Sequence, residues 1–269
     1  MHTPTWRSLL LPALLATTAA AAHAQTEINH AVAMAGSLPG DAAGYPVTIS
    51  EPGHYRLTGN LEVPLNVNAI VVNAPGVTLD LNGHTVSSSV VCEQNANTFH
   101  VNCNVTKVYD DVFGKSGIYV DYAAQGSVVR NGTVSGFRGH GLVVRAPGAR
   151  VEHVRVQSNR YAGMWLATST TFVRVSDSIS QFNGDHGFHA NQTLLERVTA
   201  SRNGGSGVHN NAGIVVDSHI ARNGRYGVEG LAAAGTVGVR DSLVMWNKML
   251  NMGPSAVSMG GNKTQSALF

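Results

Sequence analysis

Asn203-Gly204-Gly205-Ser206-Gly207-Val208-His209 and Asn223-Gly224-Arg225-Tyr226-Gly227-Val228-Glu229 are one pattern written twice, 20 residues apart. In each copy an Asn precedes a Gly by four positions, and an apolar residue follows the Gly. The same pairing joins Asn159 to Gly163 and Asn183 to Gly187, giving successive spacings of 24, 20 and 20 residues. Asn247 extends the series by another 24, and Phe137 with Gly141 carries it backward without the Asn. A fixed period of this length marks stacked repeats rather than a two-layer domain.

Six residues before the later asparagines stand Asp177-Ser178, Asp217-Ser218 and Asp241-Ser242, with Asn131-Gly132 and Asn82-Gly83 in the corresponding place upstream. These are turn-forming pairs. Each repeat thus divides into three short strands and two corners, leaving no room for the helices of leucine-rich or helical repeats. Aligned on the glycine column, the next position reads Ile118, Leu142, Met164, Phe188, Val208 and Val228, all apolar. The position after that reads Tyr119, Val143, Trp165, His189, His209 and Glu229. Period-two alternation places the first column in the core and the second outside. The expected fold is all-β, a right-handed parallel β-helix solenoid of about seven to nine coils with terminal caps.

Composition agrees. Hydrophobic residues make up 43% of 269 residues, charged residues 13%, and there are 30 glycines. Abundant Val, Thr, Ser and Asn favour short strands and tight turns over long helices. Residues 25–129 hold three basic residues against nine acids, net −6, whereas residues 130–240 hold twelve arginines, no lysine and six acids, net +6. Arginine binds carboxylate and sulfate in a planar, bidentate way, so the repeat body suits an anionic ligand unless its arginines only solubilise the coil edges. The arginines lack interleaved aromatics in sequence, which argues against nucleic acid.

Arg7, the apolar run Leu9 to Leu15 and the small residues ending Ala22-His23-Ala24 form the three-part pattern of a signal peptide over residues 1–24, cleaved after Ala24. Secretion or a periplasmic location is expected, with no membrane span, because no apolar run reaches bilayer length. Residues 25–269 then form one β-helix domain, in which 25–69 cap the N-terminal end, 87–116 break the repeat as a loop, and 252–269 form a C-terminal cap or tail. Cys92 and Cys103 fall in that loop and suit a local disulfide. The alternative, a metal held by both thiols and His100, lacks paired CxxC spacing.

The run Val77-Thr78-Leu79-Asp80-Leu81-Asn82-Gly83-His84-Thr85-Val86, preceded by Pro52-Gly53-His54-Tyr55-Arg56-Leu57-Thr58-Gly59-Asn60, resembles the opening coils of bacterial β-helix proteins of the pectate-lyase-like superfamily. With the Asn/Gly ladder the resemblance spans roughly residues 46 to 250. It implies a fold more firmly than a reaction, since that superfamily includes pectate and alginate lyases, polygalacturonases, mannuronan epimerases and phage tailspikes. It also implies that the outward face of this first sheet carries a polysaccharide groove.

Parallel strands lie about 4.8 Å apart, so a spacing of one repeat becomes contact. His189 and His209 should stack, with Trp165 below and Glu229 above. His140, Tyr161, Asp185, His186 and Arg225 are expected along one rim, and Arg145, Asn191 and Asn211 along the other. Such a strip offers a ring for sugar stacking, imidazoles that move protons near neutral pH, and arginines for an anionic substrate. Lyases and epimerases of uronic-acid polymers remove the C5 proton, which needs a base, a proton donor and a neutraliser of the carboxylate. His189 or His209 is read as base, Tyr161 or His186 as donor with Asp185 beside them, and Arg145, Arg160 or Arg225 as neutraliser. Trp165, Glu229, Asn191 and Asn211 complete the substrate contacts.

Asp185-His186-Gly187 lacks the proline of the epimerases' Asp-Pro-His run, and the three-aspartate cluster of polygalacturonases is missing. Asp185 and Glu229 would stand about 9.6 Å apart along the axis, at the upper limit for an inverting hydrolase. No cofactor and no metal is expected. Calcium would want clustered carboxylates, and Asp110-Asp111 is the pair the sequence offers. The expected function is lyase or C5-epimerase chemistry by a monomer on an acidic polysaccharide; the alternative is a non-catalytic glycan-binding or structural module.

Overall fold

The computed structural model describes residues 25–106, 113–167, 172–230 and 235–265. It is a parallel β-helix. One face is an eight-stranded sheet built from Val47–Ile49, Ile70–Val72, Ile118–Val120, Leu142–Val144, Met164–Ala167, Phe188–Asn191, Val208–Asn211 and Val228–Glu229. The other two strands of every coil merge into a 17-stranded sheet. All pairings in both sheets are parallel, for example Val173–Ser176 with Thr193–Glu196 and Ile179–Gln181 with Thr199–Ser201.

The glycine-column alignment is the register of the first sheet. Ile118, Leu142, Met164, Phe188, Val208 and Val228 pair in succession and are fully buried. Glycine is required in that column because the coil turns inward against its neighbour. A Cβ on Gly163 would lie 2.0 Å from Ser180 Oγ and 2.6 Å from Asn183 Nδ2.

A file of buried amides fastens one corner of each coil to the next. Asn159 Nδ2 donates to Asn183 Oδ1 at 3.0 Å, Asn183 to Asn203 at 2.9 Å, Asn203 to Asn223 at 3.0 Å and Asn223 to Asn247 at 2.9 Å. Each oxygen also accepts its lower neighbour's backbone N–H at 3.0 to 3.1 Å. At the start of the file the Phe137 backbone N–H donates to Asn159 Oδ1. Serines serve the other corner, where Val154, Val198 and Ser218 donate backbone N–H to Ser178, Ser218 and Ser242 Oγ. These bonds satisfy the named corner donors, as a buried turn requires.

The N-terminal cap is the strand Thr26–Ile28 and the helix His30–Ala35, closed by Asn29 at one end and by left-handed Gly36 at the other. Strands Val47–Ile49, Gly53–Leu57 and Leu61–Glu62 already pair in register with the next coil, so the segment read as cap contains a coil of its own. Ala256–Ser258 and Lys263–Gln265 likewise add strands at the other end. Cys92 and Cys103 form a disulfide across an antiparallel hairpin, Cys92–Gln94 with Val101–Cys103. The signal-peptide segment and the pair Asp110-Asp111 lie outside the described residues. Among the described residues no helix is long and apolar enough to cross a membrane.

Replacing Asn203 with Ala leaves the buried Asn183 backbone N–H without its acceptor and removes one of the acceptors of Asn183 Nδ2. Unfolding followed by circular dichroism should show a loss of about 2–4 kcal/mol. A loss below about 0.5 kcal/mol, the scale of an ordinary surface change, would contradict a structural role for the file.

Candidate functional site

The outward column of the first sheet pairs Trp165 with His189, His189 with His209, and His209 with Glu229. Ring centroids lie 6.3 Å apart for Trp165 and His189 and 4.9 Å apart for His189 and His209. The expected stack therefore forms, but it is partly sunk: Trp165 and His189 are half-buried, whereas His209 and Glu229 are 9% and 5% exposed. Two further corrections concern neighbours placed on the rim. His186 is buried and its ring sits 4.8 Å from His209 and 5.5 Å from His189, so it is a member of the cluster. Tyr161 is also buried, beside His140 at 5.7 Å and away from His209.

Ser206 organises the cluster. Its backbone N–H donates to His186 Nδ1 at 3.0 Å, its hydroxyl donates to Glu229 Oε1, and Tyr226 N–H donates to that hydroxyl at 3.3 Å. Because Nδ1 of His186 is an acceptor, the neutral ring carries its proton on Nε2, which faces Asp185 Oδ1 at 3.5 Å. His209 Nδ1 lies 3.3 Å from Glu229 Oε1. The carboxylate stands beside that nitrogen, which has no aligned hydrogen-bond partner among the described residues.

Burial dominates the electrostatics. It lowers His140 from 6.5 to about 3, helped by His189, and lowers His189 to about 4, helped by His186 and His209. His186 is lowered too, burial outweighing the attraction of Asp185. Burial alone would raise Glu229, but hydrogen bonds from His209 and Ser206, together with Arg225, hold it below the usual carboxylate range. At neutral pH His140, His186 and His189 are thus uncharged imidazoles near one carboxylate.

The hairpin walls this strip on one side. His100 and Asn102 face Arg160, Asp185, Gly205 and Arg225 across a recess of about 370 Å³. Approach is close because the column below is glycine: a Cβ on Gly204 would lie 3.2 Å from Val101 Cβ, and one on Gly224 would lie 3.0 Å from the Phe99 carbonyl. Of the three arginines expected to meet a carboxylate, Arg160 and Arg225 line the recess. Arg225 Nη2 is 4.0 Å from Glu229 Oε2. Arg145 turns away and donates to Tyr119 Oη at 3.0 Å. Asn191 and Asn211 pair with each other at the end of the strip.

His186, His209 and Glu229 offer ligand atoms within 4.8 Å of one another. The donor set does not suit a metal ion, since the Ser206 amide occupies Nδ1 of His186 and leaves a proton on the nitrogen a cation would need. Ser206 and Phe113 were missed in sequence. Ser206 stands in the same pre-glycine column as His140 and His186, which is the signal that could have found it. Phe113, packed against Trp165 at 4.7 Å, follows a segment with no repeat and gave no signal.

The fold and this strip define a parallel β-helix protein with a polar face on its first sheet. Residues 68–193 match the family described as right handed beta helix region, and that part of the chain is a right-handed β-helix. Among solved structures, the enzymatically active domain of bacteriophage CBA120 tailspike protein 2 is similar at 10% identity and a TM-score of 0.58, over 81% of this chain and 40% of that one. Dettilon tailspike protein is similar at 11% identity and a TM-score of 0.50, over 82% of this chain and 59% of that one. The chain thus spans between two fifths and three fifths of these structures. No curated protein matches the sequence.

A pH dependence follows from the lowered imidazoles. Unfolded histidines take up protons below about pH 6.5, while folded His140 and His189 resist down to about 3 and 4. The unfolded state then binds more protons, so stability falls as pH drops through this window, by at most about 1.4 kcal/mol per pH unit per group. Glu229 acts in the same direction, below the usual carboxylate range. Melting temperature measured from pH 7 to 4 should fall, and His140→Phe, which keeps a ring against Phe113 and Tyr161, should flatten the slope. A flat wild-type profile would contradict buried neutral histidines.

Proposed function

We propose that the protein is a polysaccharide lyase acting on an acidic, uronate-containing polymer laid along Trp165, His189 and His209. The carrying observation is that Glu229, bonded by Ser206, lies 3.3 Å from Nδ1 of His209 where the aromatic strip meets the recess of Arg160 and Arg225. A sugar ring stacks on Trp165, and the guanidinium groups neutralise the uronate carboxylate, which acidifies C5. His209 Nε2 takes the C5 proton. The electron pair of that C–H bond forms the C4–C5 double bond as the bond from C4 to the glycosidic oxygen breaks. The departing oxygen takes a proton from the imidazolium of His209, which Glu229 stabilises across the ring.

Two roles change from the sequence reading. His186 N–H points at Asp185 and Tyr161 packs beside His140, so neither is assigned the donor role. Epimerisation needs a second proton carrier on the opposite sugar face, and the strip presents its imidazoles from one side only. That favours lyase over C5-epimerase. The description of one structural neighbour as an enzymatically active domain supports a catalytic β-helix in general terms. Export to the periplasm or beyond, and action as a monomer, belong to the same proposal.

Incubation with alginate, pectate and glycosaminoglycans, followed by ultraviolet absorbance of new unsaturated ends, tests it. His209→Ala should cost at least about 100-fold in rate, Glu229→Gln somewhat less, and Trp165→Ala should act mainly on KM. Absence of product from every polymer, with folded protein, would reject the lyase. Glycan binding in that case would support the non-catalytic module, which the low exposure of His209 and Glu229 favours.

A further inference from the structure

The two corner ridges of the coil differ in how they treat arginine. On the ridge of Asp177, Arg197, Asp217 and Asp241, the cations are neutralised. Arg197 bonds Asp177 through Nε at 2.7 Å and Nη2 at 2.8 Å, and pairs with Glu196 as well. Arg174 pairs with Glu196, and Arg240 with Asp241. The ridge beside the asparagine file is different. Its corner residues are Phe182, Arg202, Arg222 and Trp246, of which Arg222 is exposed and the others half-buried, each following strand residues paired in register, Gln181 with Ser201, Ser201 with Ala221, and Ala221 with Met245.

These four side chains form a vertical row at coil spacing, about 4.8 Å per step. Arg202 lies over the Phe182 ring at 5.4 Å and Arg222 over the Trp246 ring at 5.4 Å. The two like charges thus turn apart, each onto an aromatic face. Among the described residues neither guanidinium has a carboxylate within salt-bridge distance. All four residues hold left-handed backbone, with φ of 54°, 56°, 58° and 53°. The other ridge turns in the same way at Asp177 and Arg197, both with φ of 52°. Exposed Lys248 adds a positive charge two residues beyond Trp246. The aromatics that sequence reading found missing around the arginines are supplied by adjacent coils.

We propose that the row Phe182, Arg202, Arg222 and Trp246 is a second binding surface, for an anionic polysaccharide, separate from the histidine strip. Flat rings beside unpaired guanidinium groups match the alternation such a polymer offers, an apolar sugar face next to a carboxylate or sulfate. The disulfide hairpin stands between the two surfaces: Gln94 Nε2 donates to the Arg222 carbonyl at 2.8 Å, while His100 and Asn102 face the recess on the other side. A polymer held on the ridge would keep the protein at its substrate while the strip works on another segment. This tethering role rests on the proposed function, but binding by the ridge does not.

Affinity electrophoresis through gels containing alginate, pectate or heparin tests the ridge. Arg202→Asn with Arg222→Asn removes both cations with a residue that accepts the left-handed corner. At least one of the polymers should retard the wild type, and the double variant should bind about tenfold more weakly or worse. Trp246→Asn should weaken binding by a smaller factor. Cleavage of short oligouronides, too short to reach past the hairpin, should be unchanged in the double variant, so failure of the lyase and failure of the ridge are read separately. Should the double variant fail to fold, Arg202→Lys with Arg222→Lys keeps the charge and removes the planar fork, and should still weaken retention several-fold. Unchanged retention in the folded variants, no retention of wild type by any polymer, or equal retention by single-stranded DNA would overturn the proposal.

Discussion

Each amide of the asparagine file accepts the backbone N–H of the preceding coil's corner and donates its own N–H to the amide of the next coil. This is the constraint on which the rest of the structure depends. A buried turn exposes backbone donors that neither sheet can pair, and leaving one dry would cost about 1–3 kcal/mol. The file from Asn159 to Asn247 meets that need at one corner, and the serines at Ser178, Ser218 and Ser242 meet it at the other. A side-chain amide fits because it donates and accepts at once, so a column of identical residues is self-complementary. The chain can then turn at the same place in every coil, and the strands between the corners fall into register without long loops.

Register is also what concentrates chemistry. Residues one repeat apart become neighbours, and the outward column of the first sheet gathers Trp165, His189, His209 and Glu229 within three coil steps. Crowding imidazoles on a largely dehydrated surface disfavours their charged form, and the site meets this by keeping His140, His186 and His189 neutral and by providing one carboxylate with two donors. His209 beside Glu229 is then the place where a proton can be received with compensation. The ridge on the far side of the hairpin resolves crowding of like charge differently, by laying each guanidinium on a ring.

Much of this was legible in sequence because the repeat is carried by residue types with one structural meaning. Glycine marks the inward turn, where a Cβ would overlap Ser180 or Val156, and asparagine marks the buried corner. Those columns predicted the pairing of His189 with His209 and of both with Trp165 and Glu229. What escaped was depth and lateral packing. Alternation says which side of a strand a residue faces, but not whether another segment covers it, and so the burial of His209, Glu229 and Tyr161 was missed. The hairpin's seat on Gly204 and Gly224 joins segments with no shared period. Arg145 had the right type and column, yet its reach toward Tyr119 is a choice among rotamers that no pattern encodes.

Coil stacking assembles neutral imidazoles at His140, His186 and His189 beside Ser206 and Glu229, rather than a metal centre or a row of charged surface histidines. Ring-nitrogen chemical shifts in ¹⁵N-histidine-labelled protein at pH 7 measure this directly, with His186→Gln used to assign the His186 signals. His186 should be uncharged with its proton on Nε2 and an acceptor Nδ1, as the bond from the Ser206 amide demands. A protonated imidazolium at His186, or a neutral ring carrying its proton on Nδ1, would contradict it.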